Sequence, residues 1–189
     1  MKKRSKVPYV RDLTNVQTVY TARLRTLRVK LRTALATATD VELLTISSKA
    51  DLTQVLEVIF ATLDDDQEHF IILILNAANE LIGYKVIASG AQDHVHIDPK
   101  QVFRNALLLG ANSIILAHNH PSGKATPSAQ DIALTGQLRI GGELLHLSVL
   151  DHLIYTKKEQ ISLRDCMPAL FGDRDPAAES ETKDPSKQQ

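Results

Sequence analysis

Two histidines and one aspartate have the residue types and the spacing of a metal site. His118 and His120 follow the apolar run 113–117, whose length and isoleucine content predict a buried strand. Residues two apart in an extended chain point to the same side, so both imidazoles can converge on one point. Asp131 lies one turn inside a helix predicted to begin at Ser128. The three side chains form a ligand set that leaves a fourth position for water, which is typical of a catalytic metal site.

Each of these residues also has an ordinary explanation. Either histidine could be a loop residue that hydrogen-bonds to the backbone, and Ser128-x-x-Asp131 fits the capping box of a helix start. A set of two histidines and a carboxylate also suits an Fe(II) oxygenase. The combined spacing favours the metal site, because H-x-H at a strand end is followed by an acid just inside a helix. The N-terminus of that helix would help to keep Asp131 ionised.

A hydrolytic metal site also needs a base for its water, and Glu68 is the candidate. It precedes the apolar run 70–75, which predicts a strand covered on both faces. From the start of that strand Glu68 could reach the rim of a sheet beside the strand 113–117. The alternative is that Glu68 is a solvated member of the acidic run 64–68.

The apolar pattern predicts a mixed α/β domain that positions these residues. Helices are predicted at 51–63, from Pro99 to a stop at Gly110, and from Ser128 to about Ile140, where Gly141-Gly142 would end the helix. Asp51 with Gln54 resembles a capping box for the first helix, and Asp98 is the predicted cap of the second. Strands are predicted at 70–75, 81–88 as its hairpin partner, 113–117, 145–155 and 161–163.

Composition indicates one main domain of ordinary size, since the chain has 189 residues and 43% hydrophobic content. The single cysteine, Cys166, excludes an internal disulfide and a cysteine-rich zinc module. No apolar run approaches the ~20 residues of a membrane span, and the N-terminus leads into no apolar signal core. We therefore expect a cytoplasmic protein without a membrane partner, and the oligomeric state stays open.

Charge is distributed unevenly along a chain whose net charge is zero. Residues 1–32 carry ten Lys or Arg and one acid, so this segment has a charge of +9. Residues 1–50 are thus predicted to be a basic N-terminal arm or small extension, in which the alternation at 27–31 favours a strand and residues 30–38 could instead be helical. The basic residues 2–32 could bind nucleic acid, form a solvated edge or dock on the chain's own domain. Residues 172–189 have no apolar face, which predicts a disordered tail.

The metal-site residues also carry a resemblance to a known family. Glu68, His118-x-His120 and Ser128-x-x-Asp131 resemble the JAMM motif of the JAB/MPN metalloproteins. The stretch His118-Asn-His-Pro-Ser-Gly123 with Pro127-Ser128 is similar to the bacterial RadC-like branch of that family. The resemblance runs from about residue 50 to 165.

The resemblance implies a JAB/MPN domain at 51–166, with a mixed, cytidine-deaminase-like sheet flanked by helices. It implies one zinc ion held by His118, His120 and Asp131. Glu68 would act as general base on the metal's water, and Ser128 would stabilise the oxyanion. The implied activity is hydrolysis of a peptide or isopeptide bond in a peptide or protein conjugate.

The RadC-like branch is also associated with DNA repair, which leaves a second interpretation open. The chain would then be a DNA-associated accessory protein with a structural or vestigial zinc site. Many RadC-like proteins carry a helix-hairpin-helix module linked with DNA, and no glycine precedes Gly83 here, so we expect a short form without that module.

Two further motifs contain histidines. Asp151 and His152 could hold a ligand ring in place, or could be a packed histidine beside an aspartate at a strand end. His94 and His96 form a second H-x-H, which we interpret as surface histidines because no acid follows in helical register.

Overall fold

A five-stranded mixed sheet organises the computed structural model, which describes residues 44–90 and 97–173. Within these residues the strand order is β2-β1-β3-β4-β5. The strands are β1 (Glu68–Leu75), β2 (Leu81–Gly90), β3 (Ser113–Asn119), β4 (Ser148–Tyr155) and β5 (Gln160–Ser162). The helices are α1 (Lys49–Phe60), α2 (Pro99–Leu108), α3 (Ala129–Leu144) and α4 (Leu163–Cys166), followed by a 3-10 helix (Pro168–Phe171). The predicted α/β fold with a mixed sheet and flanking helices is confirmed.

Strand β1 is an interior strand that is buried on both faces, as its unbroken apolar run predicts. It pairs antiparallel with both β2 and β3, and β3 in turn pairs parallel with β4. Alternate side chains enter two different layers. Ile71, Leu73 and Leu75 pack with α1 on one face of the sheet. Phe70, Ile72 and Ile74 pack with residues of α2 and α3 on the other face.

Helix α1 begins earlier than the sequence pattern predicts. Its N-cap is Ser48, whose hydroxyl accepts from the Asp51 N–H, while the Asp51 carboxylate accepts from the Ser48 N–H at 2.8 Å. The predicted capping box of Asp51 with Gln54 is therefore wrong. Ser48 and Asp51 form the box because a serine hydroxyl and a carboxylate three residues later satisfy two free N–H groups of the first turn.

Helix α3 runs through Gly141 and Gly142 to Leu144, so the predicted stop at this glycine pair is wrong. The glycines serve packing instead. A Cβ at Gly142 would lie 2.4 Å from the Leu147 carbonyl oxygen, and a Cβ at Gly141 would lie 2.8 Å from the Phe103 ring. The chain therefore folds back tightly after α3, and β4 begins at Ser148 rather than at 145.

The other predicted elements agree closely with the structure. Asp98 caps α2, Pro99 is its first residue, and Gly110 follows its end with a φ of +71°. The hairpin of β1 and β2 is present, with β2 extending to Gly90. The short α4 and the 3-10 helix after β5 were not anticipated from the sequence.

Several predictions concern residues outside the described segments. These are the strand at 27–31, the basic residues 2–32, His94 with His96, and the tail beyond Asp173. Among the helices of residues 44–90 and 97–173, none combines the length and the apolar character needed to cross a bilayer.

From the packing of α3 we expect alanine substitutions at two of its glycines to change stability in opposite directions. Gly142→Ala should lower the free energy of unfolding by about 1–3 kcal/mol, because the new Cβ would press on the Leu147 backbone. Gly136→Ala is the matched control, since its Cβ would meet Leu170 Cδ1 at an ordinary 3.6 Å. It should raise stability by up to about 1 kcal/mol through helix propensity. Urea unfolding of both variants checks this, and equal stabilisation by the two substitutions would contradict the described end of α3.

Candidate metal centre

The strand register brings the candidate residues to one edge of the sheet. Phe70 pairs with His118 across the antiparallel β1 and β3, so extending this register by two residues places Glu68 opposite His120. Glu68 shares the face of Phe70, which is the face that packs against α3. Asp131 is the third residue of α3. Four residues that the sequence pattern selected therefore meet at this edge.

The side-chain atoms of this group lie close together. His118 Nε2 is 2.9 Å from His120 Nε2. Asp131 Oδ1 is 3.3 Å from His118 Nε2, and Asp131 Oδ2 is 3.9 Å from His120 Nε2. One ligand atom each of Glu68, His118 and His120 lies within 4.8 Å of the other two, so these three residues could hold a metal ion. That triad contains Glu68, and the division of roles between Glu68 and Asp131 stays a prediction.

Ser128 and Asp131 form the capping box that is their ordinary explanation, and Asp131 contacts the histidines at the same time. The Ser128 hydroxyl donates to Asp131 Oδ2 at 2.6 Å, and the Ser128 N–H donates to the same oxygen at 2.8 Å. The Asp131 N–H donates back to the Ser128 hydroxyl. This capping box orients the carboxylate so that Oδ1 faces His118. Capping the helix and contacting the histidines are thus simultaneous tasks of one side chain.

Hydrogen-bond partners determine which nitrogen of His120 carries its proton. His120 Nδ1 lies 2.7 Å from the Lys124 carbonyl oxygen, which can only accept. The proton of the neutral ring is therefore on Nδ1, and the lone pair is on Nε2.

A longer chain of partners determines the proton of His118. The Thr135 hydroxyl donates to the Asp131 carbonyl oxygen, so it must accept from His152 Nδ1, which lies 2.6 Å away. The unprotonated His152 Nε2 then accepts from His118 Nδ1 at 2.8 Å. His118 consequently also has its lone pair on Nε2.

Burial keeps the inner histidines neutral. His118 and His152 have no exposed surface. Desolvation lowers the pKa of His118 to about 4, with the Asp131 carboxylate acting in the opposite direction. Desolvation likewise lowers the pKa of His152 well below its usual value. Burial raises the pKa of the half-buried Glu68 carboxyl, against an opposing effect of His120.

The arrangement fits a divalent cation. The Nε2 atoms of His118 and His120 face each other across 2.9 Å, with carboxylates of Asp131 and Glu68 beside them. Lone pairs in this arrangement repel unless a positive charge lies between them. Imidazole nitrogen and carboxylate oxygen are ligands that suit Zn²⁺, and they also suit Fe²⁺.

Asp151 and His152, which the sequence leaves with two possible roles, have different partners in the structure. His152 contacts the His118 ring, whereas the Asp151 carboxylate accepts from the His152 N–H, the Ser162 hydroxyl and the Arg164 N–H. Asp151 therefore braces β4 against the end of β5 and the start of α4. Sequence reasoning missed Thr135, whose one signal is its position one helical turn after Asp131.

Relatives from several organisms match about half of the chain. A UPF0758 protein of Methanospirillum hungatei is 47% identical over 98 residues, which are 52% of this chain and 44% of that protein. UPF0758 proteins of Carboxydothermus hydrogenoformans and of a Synechocystis species are 41% and 45% identical over 98 and 100 residues. These segments cover 52% and 53% of this chain, and 43% and 41% of the two relatives. The match thus spans less than half the length of each relative, and their names state no activity.

The family assignment rests on a longer match. The family model of the RadC-like JAB domain matches residues 46–167, a range that contains the sheet, helices α1 to α4 and all four residues of the candidate centre. The predicted resemblance is confirmed, and the chain belongs to the RadC-like JAB domain family.

Proposed function

We propose that the chain is a zinc-dependent hydrolase of the JAMM class that cleaves a peptide or isopeptide bond. The observation that carries the proposal is the pair of imidazoles whose Nε2 atoms face each other at 2.9 Å beside two carboxylates. His118, His120 and Asp131 would hold the ion. Membership of the RadC-like JAB family supports a metal-dependent hydrolase, and the peptide or protein-conjugate substrate is part of the proposal.

Glu68 would move the protons of the reaction. A bound zinc ion supplies a water whose pKa is lowered to about 7, so a nucleophile is available at neutral pH. The Glu68 carboxylate lies in the same cluster and would accept the proton of the attacking water. Its raised pKa suits the second transfer, in which the same carboxyl gives that proton to the leaving amine.

Ser128 would stabilise the oxyanion of the tetrahedral intermediate. Its hydroxyl proton is directed at Asp131 Oδ2 in the structure, so it must turn toward the substrate to take this role. Asp131 would keep its orientation during that turn, because the Ser128 N–H also donates to Oδ2 at 2.8 Å.

Replacing the proposed base separates catalysis from metal binding. Glu68→Gln should lower the hydrolysis rate of the zinc-loaded protein by about 10²–10⁴-fold, because an amide cannot accept the proton. Zinc content measured on the same samples should stay near that of the unaltered chain. The substrate comes from a cleavage screen of peptides and isopeptide-linked conjugates.

A carboxylate outside the centre provides the control for that experiment. Glu143 is exposed and lies on α3 at ~18 Å along the helix axis from Asp131. Glu143→Gln should leave the rate unchanged. Full activity of Glu68→Gln, or no cleavage by the zinc-loaded chain across the screen, would contradict the proposed hydrolase.

Metal binding can be tested without a substrate. The full chain, purified without oxygen, should hold one zinc ion rather than iron, and zinc should raise the melting temperature of chelator-treated protein. His120→Ala should weaken zinc binding at least tenfold, because it removes one of two nitrogen ligands. His146→Asn is the control, since it removes an exposed imidazole beyond the far end of α3 at a position with a φ of 52°, which asparagine tolerates. Unchanged affinity of His120→Ala would refute this ligand set.

The basic charge of residues 1–32 favours a second candidate function, which is DNA association. In this proposal the chain is a repair-associated accessory protein and its zinc site is structural. The ten Lys and Arg side chains would neutralise DNA phosphates, so binding would weaken steeply as salt increases.

Deleting residues 1–32 should abolish salt-sensitive DNA binding while the zinc content stays unchanged. A full-length variant with glutamine at Arg23, Arg25, Arg28, Lys30 and Arg32 should weaken binding and flatten its salt dependence. Fluorescence anisotropy with labelled duplex DNA measures both effects. DNA binding that survives the deletion, or that ignores salt, would exclude the basic arm as its cause.

A further inference from the structure

We propose that His152 and Thr135 are positioning residues that hold the proton of His118 on Nδ1 and so keep Nε2 free for the metal. The inference rests on the metal centre of the proposed function. Neither residue reaches the candidate cation position in the described contacts, and both act through the ring of His118.

Both residues are polar groups in a fully buried place. Thr135 and His152 each have 0% exposure, and His152 lies edge-on to the Phe70 ring at 5.6 Å between centroids. A buried polar group without a partner is costly, so each donor and acceptor here needs a defined partner. One set of proton positions gives every donor and acceptor of these two side chains a partner.

The hydrogen bonds form a closed ring of contacts, here called the circuit, that passes through α3, β4 and β3. Thr135 of α3 donates to the Asp131 carbonyl oxygen, His152 of β4 donates to Thr135, and His118 of β3 donates to His152. His118 Nε2 then faces the Asp131 carboxylate at 3.3 Å, which returns the circuit to its start. The circuit therefore sets the position of α3 against both strands as well as the proton positions.

Thr135 determines which group donates and which accepts along these hydrogen bonds. Its proton is committed to the Asp131 carbonyl oxygen, so a lone pair faces His152 Nδ1 and requires a proton there. Without that lone pair, His152 could carry its proton on Nε2 and donate to His118 Nδ1. His118 would then carry its own proton on Nε2, where it would block the metal position. A hydroxyl two hydrogen bonds away thus decides which nitrogen of His118 is free.

The alternative is that Thr135 and His152 merely fill space. Thr135→Val separates the two explanations, because it keeps the shape of the side chain and removes the hydroxyl. Thr135→Ser is the conservative variant that keeps the hydroxyl. Ile154→Val is the packing control, since Ile154 is fully buried on β4 and losing its methylene leaves the hydrogen-bonded circuit intact.

Two measurements on the full-length chain test the proposal. Competition with a chromophoric chelator gives the zinc affinity, and long-range ¹H–¹⁵N NMR of metal-free protein gives the proton position on each histidine. We expect Thr135→Val to weaken zinc binding about 10–100-fold and to move the His118 proton to Nε2. Thr135→Ser and Ile154→Val should bind zinc within about threefold of the unaltered chain.

The outcomes distinguish this inference from the proposed function. Zinc affinity of Thr135→Val within about twofold of the unaltered chain would overturn the positioning role. If that variant does not fold, NMR of the unaltered chain still decides, because a His118 proton on Nε2 would overturn the inference. Failure of the unaltered chain to bind zinc would refute the metal centre itself, whereas zinc binding without hydrolysis would refute the enzyme and leave the positioning role standing.

Discussion

The pairing of β3 between β1 and β4 is the constraint on which the rest of the centre depends. It places a polar strand end inside an apolar sheet, with Phe70 of β1 on one side of His118 and residues of β4 on the other. An imidazole in this position cannot be solvated, so its hydrogen bonds must come from neighbouring elements. The ring of His118 is therefore fixed on one edge by His152, and its other nitrogen points to the place where His120, Asp131 and Glu68 meet.

Sequence reasoning identified the parts of this arrangement that are local. His118 and His120 share a side because of strand geometry, Asp131 follows from a helix start, and the run 70–75 reads directly as a buried strand. The partnership of His152 with Thr135 could not be read in the same way, because it depends on how α3 packs against β4. The predicted end of α3 at its glycine pair was wrong for the same reason. Close packing against Leu147 and Phe103 outweighed the usual preference of glycine for helix ends.

The capping box of Ser128 and Asp131 shows that a structural explanation and a functional one can describe the same residues. The cap satisfies free N–H groups at the start of α3, and this holds the carboxylate in a single orientation. One oxygen is engaged by Ser128, and the other faces His118 at 3.3 Å. A carboxylate held in this way loses less conformational freedom when it binds a cation, so the cap prepares the residue for the chemistry.

The centre also concentrates unfavourable interactions that the fold tolerates. Most polar groups around it are paired with good geometry, yet the two Nε2 lone pairs of His118 and His120 face each other at 2.9 Å. Protonation would relieve the repulsion, but burial opposes a charge on His118. The carboxylate of Asp131 adds negative charge at the same place. A divalent cation bound by both nitrogens would relieve their repulsion and balance the charge of the Asp131 carboxylate, so the features that are unfavourable on their own would give a metal ion its affinity.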